Sequence, residues 1–210
     1  MCPSSIELIM AEVNAESCCG VVLAGGQSRR MGEDKALLQF HGEPLVARML
    51  GRLRQAGLAQ VFVSGDYPDY PHLIDFPDAA GQVISQGPLA GLLSVAEQLR
   101  GQYGFMVVVP VDMPLLPPST IHQLLEQPAE FPAVAYQDAY FPLRLILDDH
   151  LIEHLRCLLD QHEHKLRSLR ALLERLPKRW LPLPDPPELL SNVNTPEQWQ
   201  WALQQALSEE

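Results

Sequence analysis

Residues 20–35 read G-V-V-L-A-G-G-Q-S-R-R-M-G-E-D-K. Val21, Val22 and Leu23 form a short continuous apolar run, the pattern of a strand buried on both faces. The chain then changes at once to small, flexible and cationic residues. Gly25, Gly26 and Gly32 permit backbone conformations and close approaches that a side chain blocks. Backbone N–H groups in such a loop can point at phosphate oxygens, and Arg29, Arg30 and Lys35 add positive charge to the same segment. A basic, glycine-rich loop directly after a buried strand suits a nucleoside triphosphate at the edge of a sheet. The spacing is not that of a P-loop, because Gly32 is followed by Glu33, Asp34, Lys35 and Ala36 rather than by Lys and Ser or Thr. It is not G-x-G-x-x-G either.

Working outward, Ala36–Phe40 reads as a short extended piece. Pro44 at a first-turn position, followed by Leu45, Val46, Met49, Leu50 and Leu53, gives a helical stripe that Gly57 ends. Val61–Val63 is a second buried strand, and the Tyr/Pro/Asp-rich stretch Gly65–Asp78 reads as a loop. Gly87-Pro88-Leu89-Ala90-Gly91 opens a helix that runs through Leu99, and Phe105–Val109 is a third, highly apolar strand. Strand–helix–strand units with continuous apolar strands predict a parallel sheet covered on both faces. In the second half, Pro117-Pro118-Ser119 starts a helix, and Ala133–Tyr136 and Leu143–Leu147 read as strands that include an antiparallel pair. Asp148–Leu159 and Lys165–Leu176 are amphipathic, Trp180–Pro187 is proline-rich and extended, and Thr195-Pro196-Glu197 starts a capped helix leading to Leu207. The expected organisation is an N-terminal tail, residues 1–16, and one α/β/α domain, residues 17–210. Within that domain, residues 17–127 form a nucleotide-binding half and residues 128–210 an acceptor-side half.

The chain has 210 residues, 47% hydrophobic and 20% charged, with a formal net charge of −11. That balance is ordinary for a globular domain and argues against a general nucleic-acid binder, which needs a basic face. One anionic nucleotide is a different matter, because local charge decides its binding. The cysteines, Cys2, Cys18, Cys19 and Cys157, form no C-x-x-C pair. The first 16 residues lack a basic leader region, and no apolar run approaches the length of a membrane span. A reducing cytoplasm with unpaired thiols and no membrane association is the expectation.

The string L-A-G-G-x-S-x-R-M-G-x-D-K over residues 23–35 resembles the signature of the sugar-phosphate and cofactor nucleotidyltransferases. Within them it is most similar to the molybdenum cofactor guanylyltransferases, the molybdopterin-guanine dinucleotide biosynthesis protein A family. The resemblance runs from residue 20 to about 200, is densest in the first 115 residues and returns at Asn192-Val193-Asn194-Thr195-Pro196-Glu197. It implies a three-layer α/β/α Rossmann-like fold of the nucleotide-diphospho-sugar transferase type with a mostly parallel sheet. It also implies transfer of GMP from GTP, with Mg²⁺, to molybdopterin or molybdenum cofactor, in contact with molybdoenzyme maturation proteins. The alternatives are a CTP-dependent relative acting on molybdopterin or on a sugar or polyol phosphate, and a catalytically silent nucleotide-binding maturation factor.

Carried over residue by residue, the backbone around Leu23, Ala24, Gly25 and Gly26 contacts the nucleotide, and Lys35 binds phosphate. Ser64 lies in the base-recognition region, and an aspartate further on, Asp75 or Asp78 by opposite counts, accepts from the guanine edge. Gly87 belongs to a further matching motif, which helix packing also explains. Asp112, in a D-x-P setting, is the metal-binding aspartate, and Asn192 and Asn194 support metal or phosphate or else simply cap a helix. Physically, Lys35 offsets charge on a departing pyrophosphate, helped by Arg30 or Arg29, while Asp34 orients the lysine or touches substrate. A carboxylate directly after the apolar strand Phe105–Val109 stands where Mg²⁺ can bridge it to phosphate. Arg144 is a candidate for the pterin phosphate. His150-Leu151-Ile152-Glu153-His154 matches H-x-x-E-H, but its charged flanks read as a solvated helix face.

Overall fold

The structure is a computed structural model that describes residues 17–24, 34–74, 87–161, 163 and 167–206. Its centre is built from the three apolar runs. Strand β1 (Cys18–Leu23) lies between β4 (Val61–Ser64) and β6 (Phe105–Pro110), parallel to both, with Val22 opposite Val63 on one side and Val109 on the other. Among the described residues the sheet has seven strands in the order β5-β4-β1-β6-β8-β7-β9. Here β5 is His72–Leu73, β7 is Ala133–Tyr136, β8 is Leu143–Ile146 and β9 is Lys178–Leu181. Strand β8 is antiparallel to both β6 and β7, and β9 is parallel to β7. Strands β6, β7 and β9 therefore leave the sheet at the same edge as β1 and β4.

Alternate residues of each strand feed two cores, as the period of two requires. Val22, Val63, Val107, Val109 and Tyr136 pack against helices α1 (Leu45–Gln55), α3 (Pro118–Leu125) and α6 (Pro196–Ala206). Val21, Met106, Val108, Leu143 and Leu145 pack against α2 (Pro88–Leu99), α4 (Asp149–Leu159) and α5 (Leu169–Arg175). The result is the mostly parallel, three-layer α/β/α architecture expected. A small hairpin of β2 (Gln39–Phe40) and β3 (Glu43–Pro44) precedes α1. Helix α1 ends as its sequence requires, with Gly57 at φ 104° just past Ala56. Among the described residues no helix is long and apolar enough to cross a membrane.

Several local expectations need correction. The stretch after β4 is not wholly loop, because His72–Leu73 adds a parallel edge strand to β4. Ala36 lies in a single 3₁₀ turn, Lys35–Leu37, rather than in extended chain. Pro44 closes the β2–β3 hairpin and stands immediately before α1. Helix α5 starts at Leu169, where the Ser168 hydroxyl accepts from the Ala171 N–H and sets its first turn. The extended segment begins at Lys178 and pairs with β7. The N-terminal tail and the helix end at Leu207 lie outside the described residues.

Candidate active site

Three strand exits converge at the carboxyl edge of the parallel strands, where open α/β sheets take ligands. The Ala24 N–H donates to the Ser64 carbonyl at 3.3 Å, and the Val111 N–H donates to the Leu23 carbonyl at 3.1 Å. Leu23, Ala24, Ser64 and the turn bearing Asp112 are thereby held side by side. Helix α2 presses against this edge: a Cβ at Gly91 would stand 3.2 Å from Ser64 Oγ and 3.5 Å from Leu23 Cδ2. Gly87 precedes the helix at φ 82°, a conformation that favours glycine.

The chemistry sits beside these exits. The Lys35 ammonium is 3.1 Å from Asp112 Oδ2 and donates to Asn194 Oδ1 at 2.9 Å. The Lys35 and Asp112 side chains are only 10% and 19% exposed, so the charges meet in a partly water-excluded setting. The other carboxylate oxygen, Asp112 Oδ1, is buried with no hydrogen-bond partner among the described residues. A buried orphan acceptor on an ionisable group is costly unless something fills it. A hard, oxygen-seeking cation fits that vacancy in bonding, since Mg²⁺ takes one or two carboxylates and completes its shell with phosphate and water.

Each member of this trio is held by its own local structure. Asp34 accepts from the Ala36 N–H at 3.0 Å and so caps the turn that carries Lys35. The Tyr67 hydroxyl donates to the Asp34 carboxylate, 3.0 Å and 3.2 Å from its two oxygens, and lies 3.4 Å from the Ala24 carbonyl. Burial first, and then the adjacent Asp34 charge, push the Tyr67 phenol upward, so it remains a donor throughout the neutral range. The Arg48 Nε–H donates to the Pro114 carbonyl at 2.8 Å and fastens the turn after Asp112 to α1. The Val193 N–H donates to the Asp112 carbonyl at 2.8 Å. Gln198 Oε1 accepts from the Asn194 and Thr195 N–H groups while Thr195 Oγ1 accepts from the Gln198 N–H, a reciprocal cap on α6. The segment around Asn194 thus caps a helix and supplies the site with the same residues.

Of the residues singled out from sequence, Lys35, Asp112 and Asn194 come together, with Leu23, Ala24 and Ser64 at the adjoining strand ends. Asn192 is exposed, and the contact to Lys35 is made by Asn194 instead. Gly25, Gly26, Arg29, Arg30, Asp75 and Asp78 lie outside the described residues. Tyr67, Arg48 and Gln198 were not foreseen.

Arg144 is not a substrate ligand. It is fully buried on β8, with its guanidinium donating to the carbonyls of Leu124, Gln127, Pro128 and Phe131 at 2.5–3.2 Å and lying over the Phe105 ring. The H-x-x-E-H segment forms ordinary helix, His154 Nδ1 lying 2.7 Å from the His150 carbonyl. Among the described residues no three His, Cys, Asp or Glu side chains converge on a metal-sized point.

Comparison with known proteins gives the family. The family model described as MobA-like NTP transferase domain matches residues 20–180. A molybdenum cofactor guanylyltransferase of Xanthomonas euvesicatoria pv. vesicatoria is 44% identical over 86% of this chain and 91% of its own length. Another protein of that name, from Shewanella frigidimarina, is 30% identical over 86% of this chain and 92% of its own. Among solved structures, molybdopterin-guanine dinucleotide biosynthesis protein A from Archaeoglobus fulgidus superimposes with a TM-score of 0.67 at 20% identity, covering 91% of this chain and 100% of that one. That likeness shows a shared fold, and the sequence matches carry the rest: the chain belongs to the family of MobA-like NTP transferase domains.

Proposed function

We propose that this enzyme transfers GMP from GTP to the terminal phosphate of molybdopterin or its molybdenum-loaded form, releasing pyrophosphate. The observation that carries the reading is the Lys35 ammonium bridging Asp112 and Asn194 while Asp112 Oδ1 has no partner among the described residues. The two guanylyltransferases quoted above, both matching 86% of this chain, support the choice of nucleotide and acceptor.

The acceptor phosphate attacks the α-phosphorus in line, and pyrophosphate leaves. A terminal phosphate is already ionised at neutral pH, so the site needs no strong base. Its work is positioning and charge neutralisation. Lys35 meets the negative charge that accumulates on the leaving pyrophosphate, assisted by Arg30. The backbone from Leu23 to Gly26 cradles the phosphates, and Ser64 with Asp75 or Asp78 reads the base. A carboxylate pairing with the guanine N–H donors discriminates against bases that lack them, because the buried acceptor is then left unpaired. Asp112, supported by Asn194, would hold Mg²⁺, which when bound supplies neutralisation of the triphosphate oxygens.

Calorimetric titration of the purified chain with GTP, CTP, ATP and UTP, each with and without Mg²⁺, tests this reading. Selective, Mg²⁺-dependent GTP binding that Asp112→Asn weakens is the expected result. Preference for CTP overturns the guanylyl assignment while leaving the transfer chemistry in place. Absence of binding to all four overturns the nucleotide site itself.

A further inference from the structure

A concave pocket of about 400 Å³ lies between the loop after β7, helix α5 and the edge strand β9. It shares no lining residue with the Lys35–Asp112–Asn194 cluster. Its volume falls within the range of small-molecule sites. Topology puts its mouth in a productive place. Because β8 is antiparallel to both neighbours, β7 exits the sheet at the same edge as β6. Asp138 and Tyr140, just beyond β7, therefore stand two strand spacings, about 10 Å, along that edge from the strand that leads to Asp112.

The walls of the pocket point to a ligand class. Trp180 is 39% and Tyr140 43% exposed, the two aromatic residues among the large hydrophobic side chains left open to water in the described residues, and both line this pocket. Aromatic faces left uncovered in a concavity are stacking surfaces for a flat ring. Around them stand two carboxylates, Asp138 and Glu174, and two cations, Arg170 and Lys178. The Arg170–Glu174 pair, at 2.9 Å, has side chains 74% and 61% exposed. Such a pair is weakly held in water, so its carboxylate is available to a competing donor at small cost. Asp138 adopts φ 58°, a left-handed backbone that aspartate takes more readily than most side chains.

We infer that this pocket receives the 2-amino-4-oxopyrimidine ring of the pterin acceptor. The ring stacks on Trp180 and Tyr140, its N–H donors face Asp138 or Glu174, and Lys178 donates to its 4-oxo group. Its phosphate-bearing arm then runs along the strand-exit edge toward Asp112. The inference rests on the proposed function in one respect, that the acceptor is a pterin phosphate.

The test uses the full chain and 6-hydroxymethylpterin, whose own fluorescence reports stacking. Saturable quenching is expected with the unaltered protein, and Trp180→Ala should weaken it about tenfold, the usual loss when a stacking partner is removed. Trp180→Phe should restore most of the binding. In turnover assays Trp180→Ala should raise KM for molybdopterin by a similar factor while KM for GTP stays unchanged. Lys178→Ala, at the half-buried first residue of the edge strand, provides a second variant with the same expected split. Failure of the unaltered protein to bind the pterin, or an unchanged acceptor KM in both alanine variants, overturns the pocket assignment even where GTP binds normally. Loss of GTP binding by the unaltered chain would count against the nucleotide site instead, so the two failures are distinguishable.

Discussion

Lys35 and Arg144 are both withdrawn from water, yet they sit in opposite kinds of company. Lys35 faces a side-chain amide oxygen and a carboxylate with one oxygen unpartnered among the described residues, at the edge where the parallel strands end. Arg144 faces backbone carbonyls at and just beyond the end of α3, deep beneath β8. Desolvation pulls its pKa down to about 10, which still leaves it charged at neutral pH. Arg144 donates to the carbonyls of Gln127 and Phe131 and shares those of Leu124 and Pro128 with backbone N–H groups, so it ties the end of α3 to the loop that follows. The carboxylate beside Lys35 can take a different cation, and the ammonium can turn to a phosphate. What surrounds a buried cation therefore separates working charge from structural charge better than burial or position in sequence does.

Exchanging the two effects is the sharpest way to break that contrast. Lys35→Ala should lower kcat about 10³-fold, the size expected when a preorganised partner of a developing anion is lost. Its melting temperature should fall less than that of an Arg144 variant, because Lys35 gives up two side-chain partners whereas Arg144 gives up four carbonyls. Pyrophosphate release and a thermal melt measure the two quantities on one preparation. Turnover within tenfold of normal would remove Lys35 from the chemistry.

Arg144→Met should do the reverse. The substitution keeps apolar bulk but leaves the buried Gln127 and Phe131 carbonyls without the guanidinium and removes a second donor from those of Leu124 and Pro128, costing about 3 kcal/mol. For a chain of this size that corresponds to a fall of about 6–12 °C in Tm. GTP affinity, measured by titration below the new melting temperature, should be unchanged. A variant of normal stability that loses acceptor turnover would return Arg144 to the role of a phosphate ligand.

The same contrast explains what sequence could and could not disclose. Strands β1, β4 and β6 are covered on both faces, which forces continuous apolar runs, and such runs are legible. Strand β5 is two residues in a stretch rich in turn formers, and β9 lies at the sheet edge with Arg179 and Trp180 exposed, so neither carries that signal. Lys35, Asp112 and Asn194 were legible because each sits in a motif of fixed spacing. Arg144 misleads for the converse reason. An arginine amid Leu143, Leu145 and Ile146 reads as a ligand, since its carbonyl partners come from another segment and leave no pattern in side-chain identity. Tyr67 gave no signal at all, because Asp34 and Ala24 become its neighbours only when β1 and β4 pair.

Tyr67 is where the two categories meet, and it gives the smallest and most informative effect. Like Arg144 it acts as a hydrogen-bond anchor, but what it anchors is Asp34, the cap of the turn that carries Lys35. Tyr67→Phe keeps the ring and its packing and deletes only the hydroxyl. A hydrogen bond to a charged group contributes about 1.5 kcal/mol at the lower end of its range, or about tenfold in an equilibrium. If the bond serves only the fold, that loss should appear in Tm while kcat/KM for GTP is unchanged. If it positions the lysine, kcat/KM for GTP should fall by up to about tenfold with KM for the acceptor constant, and Tm should move little. We expect the second pattern, because the cap and the ammonium belong to consecutive residues and a shift of Asp34 is passed directly to Lys35. Since the phenol is held protonated well above the neutral range, the difference between the two proteins should also be the same at pH 7 and pH 9. A gap that closes between those values would mean that the phenol titrates and that the hydroxyl is not acting as a fixed donor.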